Sequence, residues 1–237
     1  ELLLHYQPKF PAADAPATGA EALLRWQHPE LGLLAPDVFI PIAERSGLIL
    51  PIGDWVLDQA CAQLRAWHDG GHSEWTMAVN LSPLQFASPA LLDSVRSVLE
   101  RHRIDPARLT LEITETTAMK DVEASLAILN DLTAMGVHIA IDDFGTGYSS
   151  LLYLKRMPAT ELKIDRAFVH DLERNDEDAA IVSSIIALGR TLQLQVVAEG
   201  VETQAQRDYL SELGCDQLQG YHLGRPMDAE EFLRKVG

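Results

Sequence analysis

The sequence predicts an α/β fold, a TIM-like (β/α)8 barrel whose first strand runs antiparallel to the others. Three observations predict it. Eight short β-rich runs alternate with longer amphipathic stretches across the 237 residues, the pattern of a largely parallel sheet covered by helices. The connection PAADAPATG at 11–19 is too short to hold the crossover helix that parallel neighbours need. No Ser/Gly-rich linker interrupts the chain, so residues 1–237 read as one domain.

In order, the strand candidates are LLLHY (2–6), GAEALLRW (19–26), TMAVNL (76–81), LTLEIT (109–114), VHIAID (137–142), ELKID (161–165), LQVVAE (194–199) and DQLQG (216–220). Between them PIGDWVLDQACAQLRAWHDGG, SPALLDSVRSVLERHR, DVEASLAILNDLTAMG, DEDAAIVSSIIALGRTL and TQAQRDYLSELG carry helical patterns. Asp121 and Thr203 stand where helix N-caps are wanted, and Gly136 and Gly214 where helices end.

Thirty-five acidic residues against nineteen basic ones give a net charge of −16. That opposes duplex nucleic acid or anionic lipid held on a basic face. A phosphate-bearing substrate stays compatible, because divalent cations held by carboxylates invert the local field. No apolar run approaches the roughly 20 residues that span a bilayer, no signal peptide opens the chain, and no direct membrane contact is expected of it. Cys61 and Cys215 form no C-x-x-C pair and read as free thiols in a reducing cytoplasm. The strand-like opening ELLLHYQPKF reads as a module excised from a longer protein.

Alternate residues of a strand face opposite sides. In LTLEIT, Leu109, Leu111 and Ile113 oppose Thr110, Glu112 and Thr114; in ELKID, Leu162 and Ile164 oppose Glu161, Lys163 and Asp165. Apolar residues can therefore face the helices while small or polar ones face the barrel axis. Asn80, Asp142 and Glu199 close their strands, with Glu112 and Lys163 near the ends of theirs, at the end where barrel enzymes build their sites.

Singly, each has a plain alternative. Glu112 suits a buried salt bridge, Asn80 a turn, Asp142-Asp143 a helix cap, and Glu199 and Glu202 a helix N-terminus. Together, at one end of successive strands, they form an oxygen-only donor set, which favours hard cations such as Mg²⁺ or Mn²⁺. The adjacent carboxylates of Asp142 and Asp143 suit a two-ion cluster.

The segments GAEALLRWQHPELG, NLSPLQF, LEITET, DDFGTGYSSL, LKIDRAFV, VAEGVET and LQGYHLGRPM, in this order, resemble the EAL-domain family of bacterial cyclic di-GMP phosphodiesterases. The likeness runs from about Leu4 to about Phe232. It implies a barrel with a reversed first strand and a metal-dependent hydrolysis of cyclic di-GMP to linear 5′-pGpG. It also implies a role for each matching residue. Glu21, Asn80, Glu112 and Asp142 would ligate one ion; Asp142 would bridge to a second, supported by Asp143 and Glu199. Lys163 would orient the attacking water. Glu115 would hold the DFGTGYSS loop, Glu202 would brace the ligands from behind, and Gln7, Arg25 and Gln219 would touch substrate or shape its pocket. Mg²⁺ or Mn²⁺ would support catalysis and Ca²⁺ would inhibit. The likeness further implies a homodimer formed around the DFGTGYSS loop and its following helix, and a sensor or GGDEF-type domain elsewhere in a cytoplasmic signalling protein. Members that bind the nucleotide without hydrolysing it lack metal ligands, the lysine or the loop glutamate; all of these are present here.

Overall fold

The computed structural model describes residues 1–147 and 151–237. Tyr148–Ser150, the end of the DFGTGYSS loop, lie outside the described residues, and so does that part of the expected dimer contact. Nine strands are described: β1 (Leu2–Pro11), β2 (Gly19–His28), β3 (Gly32–Leu34), β4 (Thr76–Asn80), β5 (Leu109–Thr114), β6 (His138–Phe144), β7 (Glu161–Ile164), β8 (Gln195–Ala198) and β9 (Gln217–Leu218). The order β1-β9-β8-β7-β6-β5-β4-β2 closes through a β1–β2 pairing. β1 is antiparallel to both neighbours, and β2 and β4 through β9 run parallel in sequence. The eight-stranded mixed barrel agrees with the sequence reading, including its reversed first strand.

Several elements lie outside that reading, short helices at Glu115–Lys120, Arg166–His170 and Ala229–Val236 among them. β3 folds back on β2 as a hairpin arm outside the barrel, and a helix spans Pro36–Ser46. Pro41 inside that helix masks its periodicity in the sequence, while Pro36 opens it at a position where a missing N–H costs nothing. The other long helices fall where expected, at Ile49–Asp69, Leu91–His102, Val122–Ala134, Asp176–Leu192 and Gln204–Glu212. The Asp121 side chain accepts from the Ala124 amide, and Thr203 forms a capping box with Gln206. Gly136 and Gly214 follow helix ends with φ of 92° and 78°.

Side-chain parity divides the barrel as the alternation demands. Leu111, Ile113, Ile139, Ile141 and Leu162 join one apolar cluster with Leu99, Leu129 and Leu132 of the surrounding helices. Each such buried side chain contributes about 1.5–3 kcal/mol. The polar residues instead bond inside the barrel, Lys163 donating to Glu112, and Lys9 and Thr110 to Glu161. Among the described residues no helix is long and apolar enough to cross a membrane.

Candidate active site

The register of the strands brings the polar residues to one end of the barrel. Gln7 pairs with Glu21 across β1–β2, Asn80 with Glu112 across β4–β5, and Thr114 with Asp142 across β5–β6. Lys163 of β7 reaches into their centre. Its ammonium lies 2.6 Å from Glu112 Oε2, 2.6 Å from Glu199 Oε1, 3.2 Å from Asp142 Oδ1 and 3.8 Å from Glu21 Oε2. Only 1% of this side chain is exposed, which is tolerable for an ammonium only because carboxylates surround it. Burial alone would lower the Lys163 pKa, but Asp142, Glu112, Glu199 and Glu21 together raise it well above the ordinary lysine value. Lys163 is therefore a fixed positive charge at neutral pH.

Glu21 is held on both oxygens. Asn80 Nδ2 donates to Oε1 at 2.6 Å and Gln219 Nε2 to Oε2 at 2.6 Å. Gln219 also donates to Gln7 Oε1 at 3.2 Å, and Gln7 Nε2 donates to the Gly224 carbonyl at 3.0 Å. Arg25 lies four residues beyond Glu21 on the same strand face, its Nη1 donating to the Leu24 carbonyl at 2.9 Å.

The paired aspartates sit in an irregularity of β6, whose register against β7 shifts between Ile141 and Phe144. In a regular strand adjacent side chains diverge; a bulge re-aims one of them. Asp143 takes φ 53°, and its amide donates to Asp142 Oδ1 at 2.9 Å. Burial, the Asp142 charge and a contact with Asp165 push the Asp143 pKa up to about 6. Burial likewise raises Glu199 to about 8 against the pull of Lys163, and holds Glu112 well above the usual carboxylate range, with Glu21 adding to the effect.

Glu115 stands beside the loop after β6. Its Oε2 accepts from the Gly145 amide at 2.9 Å, and a Cβ on Gly147 would fall 2.7 Å from Oε1, so a side chain there would displace the carboxylate. Gly145 itself has φ 99°, open to glycine alone without strain. Replacing Glu115 with alanine is expected to speed exchange of the Gly145 amide about tenfold to a hundredfold, the loss of one hydrogen bond to a charged group. Hydrogen-exchange mass spectrometry on peptides covering residues 143–147 measures it; unchanged protection would separate Glu115 from the loop.

Glu202 is exposed, its Oε2 3.9 Å from His170 Nδ1. Its position at the start of the turn before Gln204–Glu212 explains this: the Glu202 amide donates to Gln206 Oε1 at 2.7 Å, and the side chain turns outward. Beneath the cluster two further buried groups, Lys9 and Glu161, pair at 2.8 Å. The signal for them was parity, since Lys9 lies two residues from Gln7 and Glu161 two from Lys163. Asp165, against Asp143, shares that parity.

Among the described residues no three His, Cys, Asp or Glu side chains already surround a cation site; the Lys163 ammonium stands among the acids instead. The donor set nonetheless fits a hard cation. Every candidate ligand offers oxygen, and Glu112 Oε1 is buried with no hydrogen-bond partner among the described residues. Beside Glu21 and Asn80 a cavity of about 470 Å³ opens, large enough for a nucleotide-sized ligand. Leu23, Ile40, Pro41, Ile52 and Pro83 give it apolar walls.

Comparison with known proteins gives one consistent picture. The family model described as EAL domain matches residues 1–226. The bifunctional diguanylate cyclase/cyclic di-GMP phosphodiesterase MucR of Pseudomonas aeruginosa is 62% identical over 236 residues, covering 100% of this chain and 34% of that protein. The cyclic di-GMP phosphodiesterase NbdA of the same organism is 45% identical, covering 99% of this chain and 30% of NbdA. The chain thus spans about a third of the length of these curated relatives. Among solved structures, a PaMucR phosphodiesterase in complex with c-di-GMP superposes with a TM-score of 0.96 at 63% identity, covering 98% of this chain and 94% of that one. The EAL enzyme Bd1971, in its cAMP- and cyclic-di-GMP-bound form, superposes at 0.95 with 36% identity, covering 100% of this chain and 65% of that one.

Proposed function

The chain belongs to the EAL domain family, and from that premise we propose that it is a metal-dependent phosphodiesterase that hydrolyses cyclic di-GMP to linear 5′-pGpG. The observation that carries this reading is the set of carboxylates around Lys163 at the mouth of the barrel, beside the cavity. The named relatives, one of them solved with c-di-GMP, support the choice of substrate.

Charge arithmetic supports a pair of ions. Glu21, Glu112, Asp142, Asp143 and Glu199 face one ammonium, so full ionisation leaves four negative charges, matched by two divalent cations. Glu21, Asn80, Glu112 and Asp142 would hold one, and Asp142, Asp143 and Glu199 the other. Bound there, Mg²⁺ or Mn²⁺ supplies positive charge against the phosphodiester oxygens and lowers the pKa of water; Ca²⁺, larger and looser in geometry, would occupy the ligands and inhibit. The chain's own groups do the rest. Lys163, permanently charged, donates to the attacking oxygen and fixes its direction. Glu199 holds a proton in the metal-free fold, with a pKa of about 8; a bound cation would displace it and leave the carboxylate free to accept one from water. Gln7, Gln219 and Arg25 line the approach to Glu21 and orient the substrate.

Cation affinity should rise with pH. Asp143 and Glu199 bind protons with pKa values of about 6 and about 8 in the metal-free fold, and a cation must displace those protons. Binding therefore strengthens from pH 6 to pH 8 and levels above. The same raised values mean that the metal-free fold holds more protons than the unfolded chain, so its stability falls as pH rises through that window. Calorimetric Mn²⁺ titrations in buffers of different ionisation enthalpy read both affinity and proton release; a flat profile with no released proton would contradict the assignment.

The activity itself is tested by incubating cyclic di-GMP with the protein and Mg²⁺, Mn²⁺, Ca²⁺ or chelator, and separating the products by chromatography. The expected result is pGpG with Mg²⁺ or Mn²⁺ alone. Nucleotide binding without turnover under every metal would make the domain a receptor instead. In the cell the reading places this domain in the cytoplasm, coupled to a sensor or GGDEF-type domain of a longer chain. Exposed Leu151 and Leu152, beside the loop, support pairing of two copies there.

A further inference from the structure

We propose that Lys9 is a positioning residue for the Glu112 carboxylate, and through it for the cation site; the inference rests on the metal-dependent reading above. The barrel interior is layered. In the upper layer lie Gln7, Glu112 and Lys163; two residues lower on the same strands lie Lys9, Thr110 and Glu161. Most barrels fill such a layer with aliphatic side chains. Here it is a polar set: Lys9 Nζ is 2.8 Å from Glu161 Oε2, and Thr110 Oγ1 donates to Glu161 Oε1 at 3.2 Å. Both Glu161 oxygens are thus engaged, and the side chain holds Lys9 in place from below.

The upward side of that ammonium faces Glu112. Lys163 engages Glu112 Oε2 at 2.6 Å, whereas Oε1 is buried without a hydrogen bond among the described residues, and the Lys9 ammonium lies 3.9 Å from it. Glu112 therefore lies between two ammonium groups, hydrogen-bonded to Lys163 on Oε2 and within ion-pair range of Lys9 on Oε1, which biases its orientation from below. Stability does not account for the arrangement. A buried ion pair replaced by apolar groups of similar volume is often neutral or stabilising, so an aliphatic layer would serve the fold as well. Fixing a ligand from behind is a distinct task, and loss of such a partner typically weakens metal binding about tenfold to a hundredfold.

The test uses the paired variant Lys9→Met/Glu161→Gln, which removes one buried charge of each sign and leaves the net charge of the interior unchanged. Circular dichroism and thermal melting report folding. Lys9→Gln is carried in parallel, so that failure of one variant to fold leaves the other. Mn²⁺ is then titrated calorimetrically into the substrate-free proteins. The expected result is a wild-type melting curve with Mn²⁺ affinity weakened about tenfold or more. A folded variant that binds Mn²⁺ as the wild type does would overturn the role of Lys9 alone. Wild-type protein that takes up no Mn²⁺ would overturn the two-cation reading and this inference with it.

Discussion

Replacing Lys163 with alanine is expected to lower kcat about a thousandfold while leaving KM within a few-fold of the wild type. The ammonium is the fixed donor at the centre of the cluster, within 3.2 Å of Glu112, Glu199 and Asp142. A preorganised donor aimed at a reacting oxygen is worth about 10²–10³ in kcat, and misdirection of the attacking oxygen adds to that loss. On the proposed reading substrate affinity rests on other groups, the cavity walls and the Gln7–Gln219 pair, so it should survive. The variant also leaves buried carboxylates without their counter-charge, a change that typically destabilises by about 3–5 kcal/mol. Divalent cations should restore much of that stability, so rates are to be compared at saturating Mn²⁺. Single-turnover kinetics separates the two effects. A variant that turns over near the wild-type rate would remove Lys163 from the chemistry.

The second large effect is expected at Asp142. Asparagine keeps the size and one acceptor oxygen but removes the charge that both proposed ion positions share. Asp142→Asn should reduce bound Mn²⁺ from two ions per chain to one or none, and lower kcat by about 10³ or more, the scale of losing charge stabilisation of the transition state. Its remaining oxygen can still accept from the Asp143 amide, which Asp142 Oδ1 does at 2.9 Å. The bulge and the loop should therefore persist, and hydrogen exchange there should match the wild type. Two ions bound at wild-type affinity in this variant would show that the shared ligand lies elsewhere.

Much of the fold was legible because periodicity is a local property. The alternation in LTLEIT and ELKID separates Leu111 and Leu162 from Glu112, Glu161 and Lys163, and the barrel keeps that separation. The reversed first strand followed from a connection too short for a helix. The helix Pro36–Ser46 escaped because Pro41 interrupts its pattern, and β3 because three residues carry no period. At the site, strand ends located Asn80, Asp142 and Glu199, yet the bulge that turns Asp142 and Asp143 together depends on pairing with β7 and is absent from any local pattern. Glu202, expected to brace the ligands, lies four residues past the end of β8, where the capping box of Thr203 and Gln206 sets the direction of the chain. Lys9 carried the right parity and still went unassigned, because its partner Glu161 is 152 positions away in the sequence.

The most direct single measurement is anomalous diffraction from crystals grown with Mn²⁺. Two peaks about 3.5–4 Å apart, one within reach of Glu21, Asn80, Glu112 and Asp142 and the other of Asp142, Asp143 and Glu199, are the expected result. Absence of bound Mn²⁺ at saturating concentration, or peaks confined to other surfaces of the barrel, would contradict the assignment of this carboxylate cluster as the catalytic metal centre.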